Sequence, residues 1–488
     1  MLCFGRELIL KGVGTCCPIM RHVPCGNWKI LTLVSIRAGN CTQDELGKCR
    51  QKDTELRQEN DMNQKLRSEA EQITKYAIGR VLPDQAVIRA MENISETWGM
   101  SGKVYLAAIG KAAWQMAHAA VEALKVPVAD GVVVTKYGHM KGKIPGVRCF
   151  EGGHPVVDEN SLAGTQAILD MTAGLTEEDH VLFLVSGGGS ALFEKPFVPL
   201  SVLQDINRQL LAGGASITEI NTLRKRLSAV KGGRFAEWCE PARIDAVILS
   251  DVLGDPLDMI ASGPAAPDST TCEEALELVR KYHLVAPREV ISCLEQETPK
   301  GLWNVTSHVI GSVGQLCLAA AEKCRELGYE THILTDRMCC EAREAGRFLA
   351  SIAGSGLAPK EGGAIAGVRL ISGKRAYIAG GECVVHLRGE GLGGRNQELV
   401  LAAAEGVAGI PNVAVFSVGS DGTDGPTDAA GGYVDGDSME ELAARGISVY
   451  DVLAENDSYH ALDAIGGLIK TGPTGTNVND FSVVLIDT

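Results

Sequence analysis

The chain has 488 residues, 45% apolar and 22% charged, enough for two or three domains that each bury a core. Its formal charge is −15, from 46 basic and 61 acidic residues, which argues against nucleic acid or an anionic membrane as partner. No apolar run reaches the roughly 18 residues needed to span a bilayer, and glycine is over-used, 57 residues or about 12% against a usual ~7%. Without a collagen-like period, that excess points to tight loops where backbone approaches a ligand.

Residues 1–61 read as an atypical leader, either disordered or an artefact of gene calling. The run WKILTLVSI is short and lacks a small-residue cleavage site, so a secretory signal is not supported. Positions 1–40 carry five basic residues and one acidic, as in a mitochondrial transit peptide, but little serine and no Arg-rich amphipathic helix. Met62 opens a fluent helical sequence, MNQKLRSEAEQITKYAIGRVL, and codons for Gln58-Glu59 can spell a bacterial ribosome-binding sequence, which favours a start at Met62. The expected location is the cytoplasm, or the mitochondrion if the leader is a genuine transit peptide. Six cysteines lie in the leader (Cys3, Cys16, Cys17, Cys25, Cys41, Cys49) and nine after residue 140. None forms C-x-x-C, so no zinc knuckle or thioredoxin-type pair is written here. The nine read as small buried hydrophobes in a reducing compartment.

From residue 66 on, short apolar runs alternate with helical patterns. Strands are predicted at 104–109, 131–135, 181–185, 245–250, 307–312, 329–334, 376–381, 413–419 and 482–486, most of them apolar throughout rather than alternating, as in strands covered on both faces. Helices are predicted at 111–124, 160–172, 216–230 and 314–328. The order reads as α/β with mostly parallel sheets and helices on both faces. The strand count is generous for one sheet, which divides the chain into 62–300 and 301–488 at the polar, Pro- and Gly-bearing stretch LEQETPKGLWNV. The last 35 or so residues are expected in the second domain or packed back on the first.

In open α/β sheets ligands collect at the carboxyl ends of the strands, and the glycine-rich and acidic segments fall there. The strand VLFLV runs into SGGGSALF, where the amides of Gly187, Gly188 and Gly189 and the hydroxyls of Ser186 and Ser190 suit an anion. Aspartates follow two further strands: Asp251 and Asp255, then Asp421, Asp424 and Asp428. Clustered carboxylates repel unless a cation or donors neutralise them, and Mg²⁺ with a nucleotide is a common reason; Asx-turn chemistry is the plainer alternative. Lys111 follows the first strand, Arg224, Ser228 and Lys231 share a helical face, and Arg395 opens a helix where amides and guanidinium together suit phosphate or carboxylate. His154 sits in EGGHPVVDEN, where a turn role weighs at least as much as catalysis. Five Gly-Lys pairs occur and none continues into Ser or Thr, so there is no Walker A. No G-x-G-x-x-G fingerprint follows a predicted strand, since GEGLGG (389–394) opens no βαβ unit, and a G-x-S-x-G elbow and H-E-x-x-H are absent.

Together SGGGSALF, INTLRKRLSAVKGG, LSDVLGDPLDMIASGP, GGECVVHLRGEGLGGRNQE, SVGSDGTDGPTDAAG and NDSYHAL…TGPTGTNVND resemble the glycerate kinases of the MOFRL type, or class II glycerate 2-kinases, over residues 66–488. The resemblance implies two Rossmann-like α/β/α sandwich domains with the active site in the cleft between them. It implies Mg²⁺-requiring, ATP-dependent phosphorylation of D-glycerate, usually at the 2-hydroxyl, with Lys111 and Arg395 at the family's suspected active-site positions. On that reading Ser186, Gly187–Gly189, Ser190, Lys231, Gly232 and Gly233 hold nucleotide phosphates. Asp251, Asp255, Asp421 and Asp424 hold Mg²⁺, and Asp421 or Asp424 orients the attacking hydroxyl. Catalysis falls to Lys111, Arg395, Asp421 and Asp251, and the substrate to Asn221, Arg224, Glu382, Asn396 and Glu398. Partners are D-glycerate and ATP, a homodimer being left open. A hydroxypyruvate reductase and a non-catalytic sugar-acid binding protein are the alternatives.

Overall fold

The computed structural model describes residues 43–98, 102–354 and 373–487, with side chains from Met62 on apart from 95–97. The expectations for 1–42, Cys3, Cys16, Cys17, Cys25 and Cys41 among them, lie outside the described residues, as does the side chain of Cys49. The chain separates into the units Met1–Met62 and Asn63–Thr488. In the first, the backbone from Gln43 is helical, within helix Gln43–Arg80.

The second unit holds two six-stranded sheets. The first comprises β1 (Val104–Ile109), β2 (Val128–Lys136), β3 (Val147–Gly152), β4 (His180–Val185), β5 (Arg243–Leu249) and β6 (Val305–Gly311), in the order β3-β2-β1-β4-β5-β6. Every pairing in it is parallel. Its central strands are buried on both faces, which is why VYLAAI and HVLFLV carry no polar alternation. The strand order reverses between β1 and β4, and a crevice at that switch point is where doubly wound sheets bind ligands.

The second sheet comprises β7 (Glu330–Met338), β8 (Lys374–Gly381), β9 (Val413–Gly419), β10 (Gly431–Asp435), β11 (Leu468–Ile469) and β12 (Asp480–Asp487), in the order β11-β10-β9-β12-β8-β7. The expectation of mostly parallel sheets fails here. Only β7–β8 is parallel, and β12 enters antiparallel between β8 and β9. The apolar run of β12 reports burial on both faces and carries no information on direction. Helices Ala342–Gly354 and Arg395–Val407 pack together on one face, with Leu349, Val400 and Ala403 against Val415 and Val484. Helix Val313–Glu326 covers the other.

β6 is the last strand of the first sheet, so the chain passes from one sheet to the other after residue 311, through helix Val313–Glu326. The C-terminal residues form β12 in the middle of the second sheet. The loop before them reaches the N-terminal helices, where Thr476 Oγ1 donates to Val81 O at 3.0 Å. From Asn63 on, helix Gln43–Arg80 buries Leu66, Ala70, Ile73 and Ala77, and helix Pro83–Thr97 adds Val87, Met91 and Ile94. These belong to one contiguous core with Leu106 and Leu184 of the first sheet and Ile378 and Phe416 of the second. No helix among the described residues is long and apolar enough to cross a membrane.

Candidate active site

The exits of β1 and β4 interlock. Ser186 Oγ donates to Ile109 O (3.2 Å) and accepts from Ala112 N (3.1 Å), while Lys111 N donates to Gly187 O (2.9 Å). Gly110, at φ 110°, lies so close to Ser186 that a side chain there would overlap both its hydroxyl and its carbonyl. The Ser186 hydroxyl therefore ties two loops together rather than facing a ligand. Gly188, at φ 84°, begins the short helix Gly189–Leu192, and the amides of Gly187 and Gly188 have no acceptor among the described residues.

Around this turn gather three ionisable side chains. A Cβ on Gly188 would stand 3.0 Å from His154 Nε2 and 3.3 Å from Lys111 Cγ, and one on Gly187 would collide with the carboxylate of Asp251. Burial, then the charges of Lys111, Lys136 and His139, push the His154 imidazole below its ordinary range, so the neutral ring is favoured. Burial pushes the Asp251 carboxyl up; Lys111 opposes the shift and Glu382, from the second sheet, adds to it. A Cβ on Gly254, in the same loop as Asp251, would stand 2.8 Å from Arg337 Cζ at the end of β7, so the second sheet's edge reaches the strand exits of the first.

On that second edge Arg395 donates through Nε and Nη2 (3.0 Å) to both oxygens of Asp480, and through Nη1 to Glu382 Oε1 at 3.1 Å. Burial would lower the Arg395 pKa, but the Asp480 hydrogen bond and charge, with Glu382, hold it above its ordinary value. Asp421 joins the group: a Cβ on Gly419 would lie 3.3 Å from Asp480 Oδ1 and 3.4 Å from Asp421 Oδ1. Asp480 was missed from sequence. Its signal is positional, since as first residue of β12 it pairs with Gly381 and Gly419, the last residues of β8 and β9. That register requires β12 to run antiparallel.

The remaining predicted residues stand behind the site. Lys231 is fully buried, donating to Ser190 O (2.9 Å) and Phe193 O (2.6 Å) beside Glu194 (3.5 Å); burial, partly offset by Glu194, brings its pKa down to about 8. The amides of Gly232 and Gly233 donate to Ser262 O and Gly263 O. Lys231, Gly232 and Gly233 therefore brace the loop from within and offer no phosphate donors, since KGG here is a buried turn. Arg224 Nη2 donates to Ser190 O at 3.0 Å, and Asn221 Oδ1 accepts from Ser262 Oγ, which also meets Ser190 Oγ at 2.9 Å; these support the glycine turn from below. Glu398 is buried under Arg343 (2.8 Å) and Asn456 (2.9 Å), closed off from a substrate. Buried Asn396 donates through Nδ2 to Asp424 and accepts from Ser417.

Asp424 caps helix Arg395–Val407, accepting from Asn396 N (3.1 Å) and Gln397 N (2.8 Å). Burial pushes its carboxyl up to about 6, against those amides and Arg395. Buried and accepting from three N–H groups, it serves as a cap in this structure. Among the described residues no three carboxylates, histidines or cysteines converge as a metal nest. Asp255, at φ 52°, keeps its Oδ1 buried without a partner. The cysteines are not uniformly buried: Cys239, Cys317, Cys324 and Cys383 are, while Cys339 and Cys340 are exposed.

Residues 69–295 match a domain of unknown function (DUF4147), and residues 375–480 match the MOFRL family. A D-glycerate 2-kinase from Thermotoga maritima is 50% identical over 86% of this chain and 98% of its own. A glycerate 2-kinase from Pyrococcus horikoshii is 39% identical over 83% and 91%, and a protein of Agrobacterium vitis named a putative hydroxypyruvate reductase is 38% identical over 79% and 87%. A crystal structure of the glycerate kinase from Thermotoga maritima superposes with a TM-score of 0.80 at 50% identity, covering 87% of this chain and 100% of that one.

Proposed function

The chain belongs to the glycerate kinase family of the MOFRL type, and we propose that it transfers the γ-phosphoryl group of ATP to the 2-hydroxyl of D-glycerate, with Mg²⁺, giving 2-phosphoglycerate. The observation that carries the reading is the facing of two edges: Lys111, Asp251 and the undonated amides of Gly187 and Gly188 on one, Glu382, Arg395, Asp421 and Asp480 on the other. Phosphoryl transfer needs positioning and neutralisation of charge more than covalent help.

Lys111 and the two glycine amides suit the oxygens of the transferred phosphoryl group. Three of the five N–H groups of Arg395 are held by Asp480 and Glu382, which leaves two for the glycerate carboxylate. Asp421 orients the attacking hydroxyl. The half-buried carboxyl of Asp251 and the unpartnered oxygen of Asp255 fit a cation, and these two residues would hold Mg²⁺. The absence of a three-ligand nest is compatible with this, because Mg²⁺ at a nucleotide takes one or two carboxylates and completes its shell with phosphate and water. Bound there, it supplies neutralisation of phosphate charge.

The test is an assay with D-glycerate, ATP and Mg²⁺, followed by phosphorus NMR of the product. Phosphate on the 2-hydroxyl is expected; a 3-phosphate or no ATP consumption would overturn the reading. One observation favours hydroxypyruvate reduction instead: the first sheet has the dinucleotide-binding strand order. The turn after β1 reads GKAAWQ, without the glycines that let a pyrophosphate approach, so no NADH oxidation with hydroxypyruvate is expected.

A further inference from the structure

Past the ends of β7 and β8 the two segments stay paired through a parallel bridge between Glu341 and Val384. Val384 N donates to Cys340 O (3.1 Å) and Ala342 N to Val384 O (2.9 Å). Cys340 and Cys383 are therefore lateral neighbours on one face of this ladder. Adjacent strands lie about 4.8 Å apart, within the roughly 4.4–6.8 Å Cα separation a disulfide takes. Cys340 is exposed and Cys383 buried, and the neighbouring Cys340 adds to burial in raising the Cys383 thiol. Cys383 follows Glu382, whose backbone N–H is bound to Met338 O (2.8 Å) and whose carboxylate holds Arg395. The phosphoryl-transfer reading uses neither thiol.

We propose that Cys340 and Cys383 are a redox-active dithiol, a modification site that closes to a disulfide on reaction with a small-molecule disulfide and, by drawing the two segments from a spacing of about 4.8 Å toward the roughly 3.8 Å between the Cβ atoms of a disulfide, displaces Glu382 from Arg395. The Cys340 thiolate attacks one sulfur of the small disulfide; that S–S bond breaks, and the departing thiolate takes up the proton Cys340 released. The Cys383 sulfur then attacks Cys340 Sγ, expelling the second small thiolate, which takes the Cys383 proton. Two protein thiols are oxidised by two electrons and one small disulfide is reduced to two thiols. Burial, with Cys340 alongside, pushes the Cys383 thiol up to about 12, which makes exposed Cys340 the first attacker and Cys383 the resolving partner.

Formation of the bond is independent of the enzymatic reading, whereas its effect on turnover rests on it. The full chain is reduced, incubated with oxidised glutathione, alkylated in denaturant and mapped by peptide mass spectrometry. A Cys340–Cys383 cross-link is expected, reversed by dithiothreitol and still formed by Cys339→Ser. Turnover with glycerate should fall by up to about 100-fold, the scale of a ~1 Å misplacement at a reacting centre, and return on reduction. Cys340→Ser should keep the turnover of the reduced enzyme and ignore glutathione. Glutathione trapped on Cys340 or Cys339 with Cys383 still alkylated would overturn the dithiol. A cross-link that leaves turnover at the reduced value would overturn the displacement. Reduced protein inactive toward glycerate would instead count against the kinase reading, the mapped bond standing or falling by itself.

Discussion

Arg395 arrives at the site already oriented, because its fork geometry matches Asp480 on two N–H groups and Glu382 on a third. Asp480 is thus a positioning residue, and Asp480→Asn should lower kcat/KM with glycerate by about 100-fold. Arg395→Ala and Lys111→Ala should each do at least as much, on the scale of losing one charge-stabilising contact. A KM effect alone in steady-state kinetics of Asp480→Asn would count against the positioning role. Lys231 gives the opposite expectation. Lys231→Met removes the counter-charge of buried Glu194, which should cost about 3–5 kcal/mol of stability. Turnover of the protein that remains folded should stay near wild type with KM for ATP unchanged; a raised KM would restore Lys231 to the phosphate site. Residue identity made Lys111, the glycine triplet and Arg395 legible in the sequence. It did not separate Lys231, Asp424 and Glu398 from them, since the same charged types brace the loops from behind, and only burial tells the two uses apart.

The elements that build the site are two strand exits and one helix start. At the exits, Gly110→Ala forces a side chain into Ser186 at a left-handed backbone position, and should destabilise the fold by at least ~2 kcal/mol, measured by denaturant unfolding. At the helix start, the cap gives a pH dependence. The folded-state pKa of Asp424, about 6, lies above its unfolded value of 3.8, so between those values the folded protein keeps a proton the unfolded chain has lost. Its contribution is present below pH 3.8, falls as pH rises toward 6, and is flat above, a span on the order of 3 kcal/mol. The difference in unfolding free energy between wild type and Asp424→Asn, followed from pH 4 to 7, should show that slope and level off past 6. The strands β1, β4, β5 and β9 were readable as predominantly apolar runs. Edge strand β3 (VRCFEG) and glycine-led β10 (GGYVD) were not, because half-exposed and glycine-bearing strands lose the apolar signal while keeping their ladder bonds.

At the scale of the whole 63–488 unit, the two sheets resemble separate domains in topology but not in energetics. The helix residues from Asn63 to Arg80 bond the second sheet's side, with Lys65 on Asp487 (2.7 Å) and Glu69 on Lys374 (3.1 Å). Helix Pro83–Thr97 packs on β5, β6 and helix Ala113–Ala123 of the first sheet. Ile73, Met91, Leu184 and Phe416 consequently share one core, and neither sheet can expose its share of that core without cost to the other. Two sheets with a cleft between them would ordinarily be expected to unfold in two steps. Here a single calorimetric transition is expected for the unit, and Ile73→Ala, a buried truncation costing about 2–5 kcal/mol, should move that transition down as a whole. If Ile73→Ala instead split the trace into a lowered and an unchanged component, the sheets would be independent. The facing of Asp251 toward Glu382 would then depend on a hinge, and not on the clasp these helices make.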